Sequence, residues 1–201
     1  MFTIIEAAGW PIWFLLITSV IAVALIVERL WALQRRKVVP AGLLLRVLAE
    51  LGAVNRSETL IADLERHSPL GRVLAAGLSH CNSSRELMKE SIEEAGRAVA
   101  HELERYLTSI GTIATLSPLM GLFGTVVGMI EIFGSQTPGG SNPILLAHGI
   151  SIALYNTGFG LLIAMPSLIF WRHFRAQIDG YVVDMEQQAI KLVEVVHNAP
   201  K

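Results

Sequence analysis

Apolar and polar positions do not alternate along this chain; they fall into long blocks. Apolar character runs from Ile12 to Val27, then from Gly111 to Phe133, and again from about Ile144 to Trp171. Each block has the roughly 20 residues needed to cross about 30 Å of hydrocarbon. The pattern predicts three membrane-spanning helices, over residues 11–33, 108–133 and 144–171. A short interfacial segment, 1–10, precedes the first. An uncharged turn over 134–143, rich in Gly, Pro, Ser and Asn, joins the second to the third.

The remaining positions are polar with helical periodicity. Leu43, Leu44, Val47, Leu48 and Leu51 share one stripe, Leu60, Ile61 and Leu64 another, and Val73 and Leu74 continue beyond Pro69. Opposite charges interleave from Arg85 to Arg97, after an N-cap at Ser83 or Ser84. The region 34–107 is expected to be helical, with one helix from about Ser84 running unbroken into the second span. Residues 172–201 keep a stripe of Ile178, Val182, Met185, Ala189, Leu192 and Val196, and are expected to form an amphipathic helix. The fold class is an all-α integral membrane protein.

Charge assigns the topology. The 201 residues carry a formal net charge of −1, which conceals strong segregation. Glu28 and Arg29 close the first span and Arg35, Arg36 and Lys37 follow it; Arg172, His173 and Arg175 follow the third. Basic clusters next to spans mark the cytoplasmic side, which puts the N-terminus outside the cytoplasm, and region 34–107 and the C-terminus in it. Basic residues beside apolar spans point to the bilayer, not to nucleic acid. Trp10 and Trp13 suit headgroup depth. No basic start or cleavage pattern accompanies the first span, so it is read as uncleaved.

The second and third spans are unusual anchors. Gly121, Gly124 and Gly128 recur in the second, and Gly149, Ala153 and Gly160 in the third. Small residues let membrane helices approach closely, so these two spans are expected to pack as an antiparallel hairpin. Thr125 and Thr157 lie near the middle of their spans, with Asn156 beside Thr157. Each hydroxyl either bonds the carbonyl one turn back or projects into a polar path. No titratable group lies at the centre of any span; Glu131 and His148 sit near the hairpin turn. A proton path needs such a group, so a partner would have to bring the acid.

Other chemistries find no foothold. One cysteine, Cys81, excludes an internal disulfide framework, and the six histidines show no metal spacing. The acidic residues Glu90, Glu93, Glu94, Glu102 and Glu104 read as a solvated or intersubunit helix face. GLFGTVVG (121–128) lacks the lysine of a phosphate-binding loop. No cofactor, metal site or enzymatic constellation is expected.

The motifs ERLW (28–31), LSPLMGLFGTVVGM (116–129) and NTGFGLLIAMP (156–166) resemble the MotA/TolQ/ExbB family, and the three-span layout resembles its ExbB/TolQ branch. The resemblance implies an inner-membrane motor driven by the proton-motive force. In it a homo-oligomeric, pentameric ring surrounds the single span of an ExbD- or TolR-like partner that carries a membrane aspartate. Thr125 and Thr157 would line the pore with Asn156, and Pro166 would join the packing positions. The work would be TonB-dependent transport across the outer membrane, with a TolA-like partner and envelope maintenance as the alternative. In familiar ExbB and TolQ sequences a glutamate precedes the threonine of the third span; here that position is Ile152. A non-conducting scaffold is the reading from a different class.

Overall fold

The computed structural model describes residues 9–52, 58–134 and 143–198. Regular structure among them is entirely α-helical, and three helices are long and apolar enough to cross a membrane. The predicted turn lies mostly outside the described residues, as do the first eight residues and the core assignment of Leu51. The chain divides into two units, 1–28 with 106–173, and 29–105 with 174–201.

The first unit is a helical bundle. Helix α1, Pro11–Ala32, and helix α7, Leu107–Gly134, match the first two predicted spans within a few residues. Helix α8, Pro143–Asn198, contains the third span and continues without interruption through the predicted tail helix. Nothing in the sequence between Trp171 and Ala176 breaks a helix. Leu15 and Ala22 of α1 pack with Ile163 of α8, and Ile113, Met120 and Phe159 close around them. Side chains facing away from this centre are apolar: Ile17, Val20, Ile130, Leu162 and Ile169 are all more than half exposed. Such a surface suits lipid or partner helices, not water.

The second unit holds the polar region. Its helices are α2 (Arg35–Val38), α3 (Leu43–Gly52), α4 (Glu58–His67), α5 (Pro69–Ser79) and α6 (Arg85–Leu103). Ser68 caps α5 by accepting from the Gly71 amide at 3.0 Å, with Pro69 in the first turn. Of the two candidate caps for α6, Ser84 is the one used: its Oγ accepts from the Leu87 amide. Many of the stripe positions are buried, among them Leu43, Leu44, Val47, Leu64, Val73 and Leu74, with Ile178, Met185, Ala189 and Leu192 of α8. Leu48, Leu60, Ile61, Val182 and Val196 are only part-buried, whereas Leu70 and Met88, outside the stripes, are fully buried.

One expectation is corrected. The helix starting at Ser84 does not run unbroken into the second span: α6 ends at Leu103, and α7 begins at Leu107. Tyr106 takes φ +65, a left-handed conformation that no helix interior accommodates. The break has a tertiary cause. Arg29, only 6% exposed, donates from Nη1 to the Leu103 carbonyl oxygen at 3.1 Å. A cation at the last turn of α6 satisfies a terminal carbonyl and favours the negative end of the helix dipole.

Candidate functional site

The α7–α8 hairpin is held by glycines. A Cβ on Gly121 would stand 2.7 Å from the Asn156 carbonyl oxygen and 2.9 Å from the Thr157 Cα. One on Gly124 would meet Asn156 Cβ at 2.8 Å, and one on Gly128 the Ala153 Cβ at 3.1 Å. From the other helix, Gly160 lies against the Ser117 carbonyl and Gly121 Cα, and Gly149 against Ile132. Near the far end Gly111 abuts the Trp171 ring. Residue numbers fall along α8 as they rise along α7, the register of an antiparallel pair. Close approach replaces side-chain bulk with backbone dispersion contacts, the membrane equivalent of a packed core.

Not every small or special residue is in this seam. Pro166 lies inside α8 but is exposed, whereas its neighbours Ile163 and Ser167 are buried. Most hydroxyls are turned back on their own helix. Ser117 Oγ donates to Ile113 O at 2.7 Å, Ser167 Oγ to Ile163 O at 2.8 Å, and Thr115 to Gly111 O and Thr112 O.

Thr125 is likewise turned back on its own helix, and what sets Thr125 and Thr157 apart is the flank of the hairpin on which they lie. Opposition of Gly121 to Thr157 and of Gly124 to Asn156 puts the two threonines at neighbouring levels, two to four residue rises or about 3–6 Å apart along the axis. They also share a side. Successive helix positions rotate about 100°. Met120 precedes Gly121 and Phe159 precedes Gly160, and both pack toward α1. Thr125 follows Gly124 and Thr157 follows Asn156, so both turn to the side that α1 leaves uncovered. Both are partly exposed there. Thr125 Oγ1 donates to Leu122 O at 2.6 Å, which leaves its lone pairs free to accept from a third group. Asn156, 1% exposed, fills the seam between them and the α1 side.

On the α1 side a cleft of about 230 Å³ opens among Gly9, Pro11, Gly128, Glu131, Gly149, Ile152, Ala153 and Asn156. Glu131, exposed and near the hairpin turn, is the sole charge between Gly111 and Phe133, and the sequence gives no hint of the α1 backbone at the same cleft. Only the three-dimensional arrangement joins them.

The residues chosen for topology are engaged within the second unit or exposed. Arg35 pairs with Asp184 at 2.8 Å, and Arg175 with Glu104 at 3.3 Å and Asp179 at 3.8 Å. Lys37 Nζ stands 3.4 Å over the Trp31 ring. Arg36 and Arg172 are exposed, and Glu28, at the end of the first unit, is half-buried. These are surface pairs of modest worth, about 0–1 kcal/mol each. Of the acidic residues on α6, Glu102 pairs with Arg72 and Glu93 faces Arg97. Among the described residues no cluster could hold a metal ion.

Comparison with known proteins adds an independent line. The sequence profile of the MotA/TolQ/ExbB proton channel family matches residues 65–187. The chain is 32% identical over 170 residues to the biopolymer transport protein exbB1 of Vibrio cholerae, covering 81% of this chain and 74% of that protein. It is 34% identical over 166 residues to the putative biopolymer transport protein ExbB-like 3 of Synechocystis, covering 79% and 77% of the two chains. The biopolymer transport protein ExbB of Pseudomonas putida shares 32% over 161 residues, 73% of this chain and 46% of its own length.

Proposed function

Because the chain belongs to the MotA/TolQ/ExbB proton channel family, we propose that it is the ExbB-like subunit of an inner-membrane motor driven by the proton-motive force. Several copies close a ring around the single span of an ExbD-like partner, and the ring energises TonB-dependent transport across the outer membrane. The N-terminus is periplasmic and the C-terminus cytoplasmic. The names of the relatives, biopolymer transport proteins, support the transport role.

The observation that carries this reading is the shared placement of Thr125 and Thr157. Two hydroxyls at neighbouring levels, on the side of the hairpin that α1 does not cover, form a polar patch between apolar neighbours. One hairpin cannot enclose a path, but copies arranged cyclically can. The patch offers hydrogen-bond acceptors and donors but no titratable group, so the partner's carboxylate is required to carry the proton. Water and the two threonines then bridge between that acid and the aqueous phases.

Ile152 favours a second reading, a scaffold that assembles a complex without conducting, since the third span contributes no carboxylate. Native mass spectrometry of the complex, gently extracted from its host membrane, separates the two. A pentamer containing a small single-span protein is the outcome expected of the motor. A bare oligomer across several detergents would refute it.

A further inference from the structure

We infer that the end of α1 carries a selective site for an anionic phospholipid, built by Trp31, Arg36 and Lys37 around the headgroup phosphate. Trp31 stands in the last turn of α1, a helix long and apolar enough to cross a membrane, and it is 68% exposed. An exposed indole at the end of a span lies at headgroup depth, where its ring meets acyl chain and its N–H meets polar groups.

The backbone brings a cation onto this ring. On one unbroken helix, side chains six positions apart stand about 9 Å apart along the axis and on different faces. The helix does break. Leu33 is buried, Gln34 is extended at φ −65 and ψ 128, and α2 begins at Arg35. The chain folds back there, and Lys37 Nζ comes to rest 3.4 Å over the Trp31 ring centroid. Val38 and Val39 are buried and pin the far end of α2, while Arg35, Arg36 and Lys37 stay exposed.

The three basic residues are not equivalent. Arg35 is held by Asp184 at 2.8 Å. Among the described residues no carboxylate pairs with Arg36 or Lys37, so two positive charges stand beside an exposed indole with no anion to balance them. A phosphodiester supplies that anion. It accepts from the guanidinium fork and from the ammonium, whose three donors are not consumed by contact with a ring. A lipid also brings acyl chain to lie against Trp31 and the exposed Leu30, which a soluble phosphate does not. A zwitterionic headgroup carries its own cation, which the two basic residues repel, so the site selects a headgroup of net negative charge. This inference needs α1 to span a bilayer and does not depend on the motor.

The test reads lipid contact at Trp31 in the full-length, assembled protein. Trp10, Trp13 and Trp171 are replaced by phenylalanine, which leaves Trp31 as the only one of the four indoles. The protein is reconstituted in phosphatidylcholine vesicles with about a tenth of phosphatidylglycerol, and either lipid is brominated in its acyl chains so that contact quenches the indole. Phosphatidylglycerol should quench as though enriched about tenfold at Trp31. Arg36→Gln and Lys37→Gln should each lower that preference about fivefold, and Lys37→Arg should keep it. Arg172→Gln, at an exposed basic residue beside the third span, should leave it unchanged. Equal quenching by the two lipids, or an equal loss in Arg172→Gln, would overturn the site in favour of diffuse attraction. Displacement by added inorganic phosphate would overturn the lipid as its occupant. Native mass spectrometry needs no tryptophan replacement and gives a second readout. Protein extracted from its host membrane should retain anionic phospholipid that Arg36→Gln with Lys37→Gln loses, and unchanged retention would overturn the inference as well.

Discussion

Gly124 and Asn156 meet across the hairpin so closely that a Cβ on the glycine would stand 2.8 Å from both Cβ and Cγ of the asparagine. This one pair couples packing to placement, because the same approach that seats Asn156 in the seam turns Thr125 and Thr157 to the same flank, about 3 Å apart along the axis. A methyl at 124 cannot be absorbed by a flexible side-chain tip; the helices must separate. Gly124→Ala is expected to lower stability by about 1–3 kcal/mol, read as a fall in the melting temperature of the detergent-solubilised protein. Gly158→Ala is the control: nothing lies within 4 Å of its added carbon, and its melting temperature should not fall.

Gly160 makes an even closer approach to backbone, with an added carbon 2.5 Å from the Ser117 carbonyl oxygen. Gly160→Leu should prevent the hairpin from closing. Little assembled protein is expected on a native gel of membrane extracts, and wild-type levels of assembly would contradict the glycine seam.

Arg29 is buried at the point where α6 stops. Replacing it with methionine keeps much of the aliphatic bulk but leaves the Leu103 carbonyl without its charged donor, a loss of about 1.5–3 kcal/mol. Arg36→Met removes the same charge from an exposed position, and its effect on chemical denaturation should stay within about 0.5 kcal/mol. Equal denaturation midpoints for the two variants would show that the Arg29 bond is not what stabilises the helix end.

Tyr106 bears the left-handed turn. Tyr106→Gly should be at least as stable as the wild type, since glycine adopts φ +65 freely, whereas a β-branched Tyr106→Ile should cost about 1–2 kcal/mol. Thermal unfolding of the two variants in parallel reads the difference. A more stable isoleucine variant would mean that this residue is helical in solution.

Much of this architecture is legible in the sequence, and the residues that escape it do so for physical reasons. Block hydrophobicity reports spans because lipid demands it, and so Pro11–Ala32 and Leu107–Gly134 emerge within a residue or two of their expected ends. Glycine and alanine spacing announces the seam from Gly121 to Gly160. The break at Glu104–Tyr106 stays hidden, because no glycine or proline marks it and its cause is an arginine 74 positions earlier in the chain. The side on which Thr125 lies is likewise invisible: periodicity places it next to the seam, but only Met120 and Phe159 packing toward α1 shows which flank remains open.

The threonine patch is the centre of the account, and one measurement addresses it directly. The complex is reconstituted with its partner into liposomes, and proton flux under an imposed potential is compared for Thr125→Val with Thr157→Val, and for Thr125→Ser with Thr157→Ser. Valine keeps the shape and removes the hydroxyl; serine keeps the hydroxyl. The account predicts a loss of about tenfold or more for the paired valine variant and near-native flux for the paired serine variant, with assembly unchanged in both. Near-native flux through an intact valine complex would contradict it.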